Sequence, residues 1–360
     1  MTRRSLLGRS GFDRTTPWRV CIVRFEKVAV ASVRHQDAPH RVTSAELDEQ
    51  LRPTLERLNI QPGLLESLAG IAARRFWDPG VQPSDVAAEA AERAIEEAGI
   101  NRDRIGILIN TSVCRDYIEP SVACLVHRKL QLGEHCVNFD VGNACLGFFN
   151  GMDIIGNMIE RREIEYGLVV DGESSRFITE TTIERLKQES CDQQMYREQF
   201  AALTLGSGAV AMVLTHSELA PEAPRYLGGV KVAATVHNRL CLGQVDEMKT
   251  DTKKLLPAGL EVSSKAWSAA QKYLGWSSQD VDEFVMHQIS KVHSTQLIET
   301  LGIAPKKCHF IYPEFGNIGP AGVPTVLSKA LDAGRIKQGD KVLLGGIGSG
   351  INCVAAGILW

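Results

Sequence analysis

The predicted order of strands and helices occurs twice along this 360-residue chain, and each pass closes on a Gly-Ser-Gly turn into a final apolar strand. In the first pass a helix (Pro83 to Ala98) precedes a strand (Ile105 to Asn110), a loop and a helix (Ser121 to Leu130). A second strand (Cys136 to Val141) leads through small residues into a long helical pattern carried by Phe148, Phe149, Met152, Ile155 and Met158. Strand Tyr166 to Asp171 follows, and then Gly206-Ser207-Gly208 enters the apolar run to Leu214. The second pass runs helix (Ser263 to Leu274), strand (Glu283 to Met286), helix (Ser290 to Leu301) and strand (Cys308 to Tyr312). A Gly/Pro-rich turn (Phe315 to Pro324), a helix (Thr325 to Ala333) and a strand (Lys341 to Leu344) precede Gly348-Ser349-Gly350 and the last strand. Alternating strands and helices give an α/β chain, and the repeat predicts two pseudo-equivalent halves, 25–220 and 221–360, packed layer on layer. Residues 1–24 read as a disordered extension before a first strand at Phe25 to Ser32. Met1 to Arg19 carries five arginines and lacks the apolar stretch of a secretory signal.

Ligands of open α/β sheets bind beyond the carboxyl ends of strands. The repeat makes His287 the positional counterpart of Asn110, and Asn317 the counterpart of the Cys145 region. Cys145 falls at a strand-to-helix turn, where the helix dipole is expected to lower its pKa and expose the sulfur. By itself that position fits a nucleophile or a small buried hydrophobe. His287 follows an apolar strand, with Ser290 as a possible helix cap, and a histidine there is structural as readily as it is functional. Asn317 is a turn residue by type, but two flanking glycines and two prolines fix its loop more rigidly than a turn requires. Glu119 precedes Pro120 at a helix start, a place that suits either a dipole-stabilised carboxylate or a base aimed into a site.

Two Gly-rich stretches resemble nucleotide loops. Gly206–Ala211 matches G-x-G-x-x-A but precedes a strand, and Gly345–Gly350 has the wrong spacing, so neither is a dinucleotide or phosphate loop. A net charge of -3 supplies no global field for nucleic acid or an anionic membrane. Nine cysteines without a C-x-x-C pair argue against a disulfide framework or a structural zinc, and suit reduced thiols in the cytoplasm. No apolar run approaches a membrane span.

Four segments together resemble the thiolase superfamily: Asp140–Gly147 (Asp-Val-Gly-Asn-Ala-Cys-Leu-Gly), Val285–Gln288 (Val-Met-His-Gln), Gly316–Ala321 (Gly-Asn-Ile-Gly-Pro-Ala) and Gly346–Cys353 (Gly-Ile-Gly-Ser-Gly-Ile-Asn-Cys). Within it they look like the β-ketoacyl-ACP synthase III branch. They are most similar to the acyl-CoA-condensing family that begins bacterial long-chain olefin biosynthesis. His35–His40, Leu108–Val113, Asp116–Ser121 and Asn150–Ile154 extend the similarity from Phe25 to Trp360. The resemblance implies a five-layer αβαβα thiolase fold and a homodimer. It implies Cys145 as acyl-accepting nucleophile, with His287 and Asn317 stabilising an oxyanion or enolate. The backbone N–H groups of Cys145 and of the Gly348-Ser349-Gly350 turn, at Ser349, would form a second oxyanion hole. Glu119 corresponds to a base that reaches across the dimer interface. No metal or tightly held cofactor is implied, coenzyme A serving only as the carrier of long-chain acyl substrates.

The reaction so implied is a non-decarboxylative Claisen condensation that releases a 2-alkyl-3-keto acid to downstream olefin-pathway enzymes. Three rivals remain: decarboxylative condensation of the synthase III type, an acyl-CoA thioesterase, and an inactive dimer partner of a catalytic paralogue. Glu119 separates the first, since loss of CO2 from a malonyl donor needs no such base. The complete set Cys145, His287, Asn317 and Glu119 opposes the last. Arg239, Lys249, Lys253 and Lys254 are candidates for contacts to the CoA phosphates, or equally solvated surface charges.

Overall fold

Tyr166–Val170 and Ala209–Leu214 are apolar at nearly every position, the composition of strands covered on both faces. The computed structural model describes residues 20–360 and places both runs at the centre of a buried sheet. The strands Val137–Asp140, Ile105–Asn110, Tyr166–Glu173, Gly208–His216 and Val28–Asp37 lie side by side in that order. The second half repeats the order with Glu283–Met286, Lys341–Gly348, Asn352–Leu359 and Arg225–Ala233. With Cys21–Arg24 beside Arg225–Ala233 the ten strands count as one sheet, yet among the described residues the two sets of five pair only where Ala29 meets Arg225.

Three apolar clusters define five layers. Helices Pro83–Ala98 and Val122–Lys129 cover the outer face of the first sheet. Helices Gly147–Glu160 and Gly322–Asp332 fill the space between the sheets. Helices Thr252–Leu274 and Lys291–Thr300 cover the outer face of the second sheet. Pro83–Ala98 has the bounds its sequence predicts, because Pro83 stands in the first turn and Gly99 takes the left-handed conformation after the last. The helix expected from Ser263 begins instead at Thr252, where the Asp251 side chain accepts from the Lys254 N–H. Pro257 interrupted the periodicity without ending the helix.

Two expectations are corrected. The extension called disordered, 1–24, lies outside the described residues up to residue 19. Beyond it, Cys21–Arg24 is a strand paired antiparallel with Gly228–Lys231, held by Val20 in the outer core. The predicted strand Cys308 to Tyr312 reduces to one bridge, Cys308 with Phe284, followed by a short helix, Tyr312–Phe315. The Gln288 side chain takes the place of a neighbouring strand there: Oε1 accepts from the N–H groups of Ile311 and Tyr312, and Nε2 donates to the His309 carbonyl. The junction at 220/221 falls in the loop between Gly208–His216 and Arg225–Ala233. Among the described residues no helix is long and apolar enough to cross a membrane.

Candidate active site

The chain leaves Asp140 at the end of its strand and turns sharply before helix Gly147–Glu160. Ala144 adopts φ +44°, a left-handed conformation costly for alanine, which stores about 1–3 kcal/mol of strain one residue before Cys145. Asn143 fixes the turn from the side: Asn352 Nδ2 donates to its Oδ1 at 3.2 Å, and its Nδ2 donates to Asn150 at 2.8 Å. The closing turn of the second half lies against it, and a Cβ added at Gly348 would stand 3.4 Å from the Cys145 nitrogen.

The strand that ends at Gly348 also brings in His287, whose N–H donates to the Gly345 carbonyl at 2.8 Å. His287 is buried, and neither ring nitrogen has a partner. A Cβ at Gly322 would stand 3.3 Å from its Nδ1, so the loop that carries Asn317 closes over the ring. Asn317 is pinned by its backbone, donating to Thr204 O and accepting from Gly206 N–H, both at 2.9 Å. That pairing requires glycine at 206, since a Cβ would fall 1.9 Å from the Phe315 carbonyl oxygen. Asn317 Oδ1 accepts from the Gly319 N–H at 3.1 Å, which leaves Nδ2 as the free donor. Cys145, His287 and Asn317 therefore converge between the halves, as the repeat predicts.

The thiol's electrostatics reverse the expectation. Burial pushes the Cys145 pKa up to about 12, and Cys241, Glu173 and Asp171 add to the shift. The helix begins two residues later, with Leu146 as its cap, so Cys145 stands outside the first turn. Burial, with His293 beside it, drives His287 down to about 3, and burial takes His293 to about 4. The resting site thus holds a thiol and a neutral imidazole rather than an ion pair.

Both buried imidazoles link stability to pH. Unfolded, they take up protons near pH 6.5; folded, they refuse them until about 3 and 4. Stability is complete above pH 6.5 and falls as pH drops from there toward 4, by about 1.4 kcal/mol per pH unit for each histidine. The unfolding free energy of His293→Asn should accordingly depend less steeply on pH between 6 and 4.5 than that of the wild type. Parallel slopes in urea titrations would refute the linkage.

Glu119 is not with the other three. It is exposed on the loop before helix Val122–Lys129, whose first N–H groups donate to the Asp140 side chain. Around it Val113, Tyr117 and Ile118 are exposed, Ile118 at 90%, as are Val137 and Phe139 on the adjoining edge strand. Arg239, Lys249, Lys253 and Lys254 are exposed around the hairpin Cys241–Gly243/Met248–Thr250, with Lys249 and Lys254 paired to Glu247 and Asp251. Cys241 opens that hairpin and acts on the Cys145 thiol, so this basic surface adjoins the site. A small apolar void of about 10 Å³, lined by Phe148, Met152, Met212, Val323, Leu327 and Leu344, lies between the inner helices. A second, of about 370 Å³, opens beside Asn143, Lys231 and Asn352.

Sequence reasoning missed Asp171 and Glu173, buried acids at the end of Tyr166–Glu173. Two acids closing an otherwise apolar strand were the available signal, because charges seldom enter such strands unpaired.

The family model described as 3-oxoacyl-[acyl-carrier-protein (ACP)] synthase III C terminal matches residues 272–360. The chain is 50% identical over 336 residues to the acyl-CoA:acyl-CoA alkyltransferase of Xanthomonas campestris, covering 93% of this chain and 99% of that one. It is 35% identical over 350 residues to the enzyme of that name from Shewanella oneidensis, covering 94% and 100%. A cysteine-to-alanine variant of Xanthomonas campestris OleA superposes with a TM-score of 0.92 at 50% identity, over 94% of this chain and 98% of that one. A cysteine-to-serine variant of the same protein, solved with lauric acid and lauroyl-CoA, gives the same TM-score and identity over 93% and 100%. Solved variants of that protein replace one cysteine, one glutamate or one histidine, spaced along its chain as Cys145, Glu119 and His287 are along this one.

Proposed function

The chain belongs to the acyl-CoA:acyl-CoA alkyltransferase (OleA) family of the thiolase superfamily, and from this we propose that it joins two long-chain acyl-CoA molecules without decarboxylation, through an acyl-Cys145 intermediate. The observation that carries the reading is the convergence of a half-buried thiol, a neutral imidazole with two unpartnered nitrogens and an amide with a free Nδ2 between the two halves.

Cys145 attacks the first thioester; the C–S bond to coenzyme A breaks, and the thiol proton leaves with the CoA thiol. The Cys145 N–H, with that of Ser349 in the adjoining turn, receives the carbonyl oxygen, a donor of this kind being worth about 3–4 kcal/mol. The second acyl-CoA loses a proton from the carbon next to its thioester. The enolate oxygen then faces Asn317 Nδ2 and His287, which as a neutral ring donates without competing for the proton. Carbon attack on acyl-Cys145 gives a β-ketoacyl-CoA, and hydrolysis releases a 2-alkyl-3-keto acid for downstream enzymes. The basic surface by the hairpin suits the CoA phosphates.

The base is Glu119 of a second copy of the chain. On its own chain it faces solvent amid exposed apolar side chains, beside an edge strand paired on one side only. Such an edge is a ready surface for self-association. A homodimer through it buries the patch and carries Glu119 toward the partner's thiol.

One long-chain acyl-CoA, supplied without a malonyl donor, is expected to give free CoA and a β-keto acid, seen after decarboxylation as a long symmetrical ketone. Fatty acid alone would mean a thioesterase, and no turnover until malonyl donor is added would mean a synthase III reaction.

A further inference from the structure

Asp171 and Glu173 take no part in the chemistry above, yet they sit in its midst. They stand two residues apart on strand Tyr166–Glu173, so their side chains leave one face of the sheet. Both are buried, at 0% and 5% exposure, and no cation faces either among the described residues. Asp171 Oδ2 accepts from the Thr111 hydroxyl at 2.6 Å, while its Oδ1 has no partner. Glu173 Oε1 accepts from the Val113 N–H at 2.6 Å.

The surroundings tie this pair to the site on two sides. Thr111 underlies the first turn of the Cys145 helix, since a Cβ at Gly147 would fall 2.7 Å from the Thr111 carbonyl oxygen. Gly319, two residues after Asn317, packs on Glu173 so closely that a Cβ there would stand 3.5 Å from its carboxyl carbon. The titratable groups facing Glu173 are Asp171 on its own strand, Cys114 on the loop after Asn110, and Cys145 at the head of the inner helix. Burial raises both carboxyls, and the charge of Glu173 raises Asp171 further. Two carboxyls so placed do not ionise together; Glu173 titrates at about 7, and above that pH the pair keeps one proton and one negative charge.

We propose that the Asp171–Glu173 pair is a positioning element of the site, whose single charge, wedged between the Cys145 turn and the Asn317 loop, adds to burial in holding Cys145 in the thiol form. The charge rests on Glu173 while Asp171 keeps the proton under Thr111. The sulfur then ionises only as the thioester carbonyl is engaged and accepts its electrons. This rests on Cys145 as the acyl acceptor, but its test needs no acyl-CoA and so stands or falls apart from the condensation assay.

The test is iodoacetamide labelling of Cys145 in the intact protein, followed by mass spectrometry of its peptide across pH 6–9. Glu173→Gln keeps the acceptor for Val113 and removes the charge. Labelling at pH 8 is expected to accelerate roughly tenfold, the effect of one nearby charge at an effective dielectric near 20. Asp171→Asn keeps one charge on Glu173 and should label within about twofold of wild type. Unchanged or slower labelling of the Glu173→Gln protein would overturn the proposal, as would an equal acceleration in Asp171→Asn, which would report loosened packing instead. Should Glu173→Gln fail to fold, the wild type decides: its labelling rate must climb less than tenfold per pH unit where the pair titrates, and a uniform tenfold climb rejects the idea.

Discussion

Cys145→Ala is expected to abolish product formation, lowering kcat by on the order of 10⁵-fold or more while acyl-CoA still binds. The whole route passes through the sulfur, which must attack one thioester and later leave from another. Alanine removes the attacking atom and leaves the turn intact, because Ala144 holds the left-handed position and Asn143 anchors the loop from Asn352 and Asn150. The donors around the carbonyl oxygen remain, so affinity for the first acyl-CoA should change little. The decisive measurement is the mass of the protein after mixing with acyl-CoA. Wild type should gain one acyl group and the variant none. An acyl adduct on the variant, or ketone from it, would place the nucleophile elsewhere.

Glu119→Gln should separate the two half-reactions. The acyl adduct on Cys145 should form at close to the wild-type rate, since Glu119 lies on an exposed loop of its own chain. Condensation should fall by about 10²–10⁴-fold, the range for loss of a positioned base acting on a weak carbon acid. Accumulated acyl-enzyme with little ketone is the signature. Equal losses in both steps would return Glu119 to a structural role, and unchanged condensation would remove it from the mechanism. Mixing Glu119→Gln with Cys145→Ala protein adds a geometric check. If the base acts across subunits, mixed dimers hold one site with an intact thiol and an intact partner glutamate, and activity should reappear.

The sequence revealed the parts of the site that depend on topology. Cys145, His287 and Asn317 stand out because the repeat aligns strand ends, and the sheets keep that alignment except at Cys308, where the expected strand is missing. Strand Glu283–Met286 and helix Pro83–Ala98 have their predicted limits, because local patterning and capping decide them. What the sequence missed depends on distant residues. Cys145 looked like an activated thiol by its place in the chain, yet burial in the folded protein raises its pKa instead. The predicted strand at Cys308 failed because a side chain, Gln288, took over the hydrogen bonds that a ladder would have used. Asp171 and Glu173 join the site only because the Asn317 loop packs on Glu173, a contact between distant residues.

The inner helices carry one more consequence. The two sheets join through one strand pairing, Ala29 with Arg225, although loops of the two halves exchange further backbone bonds, among them Asn317 with Thr204 and Gly206. By packing they are inseparable: the central cluster draws Phe148, Met152 and Ile155 from one half and Val323, Val326 and Leu327 from the other. Either half expressed alone would display the apolar face of its inner helix and of its sheet to water. The duplication therefore survives as architecture and not as two folding units. The chain should unfold in one cooperative transition, and a lesion in either half should be felt as a loss of stability in both.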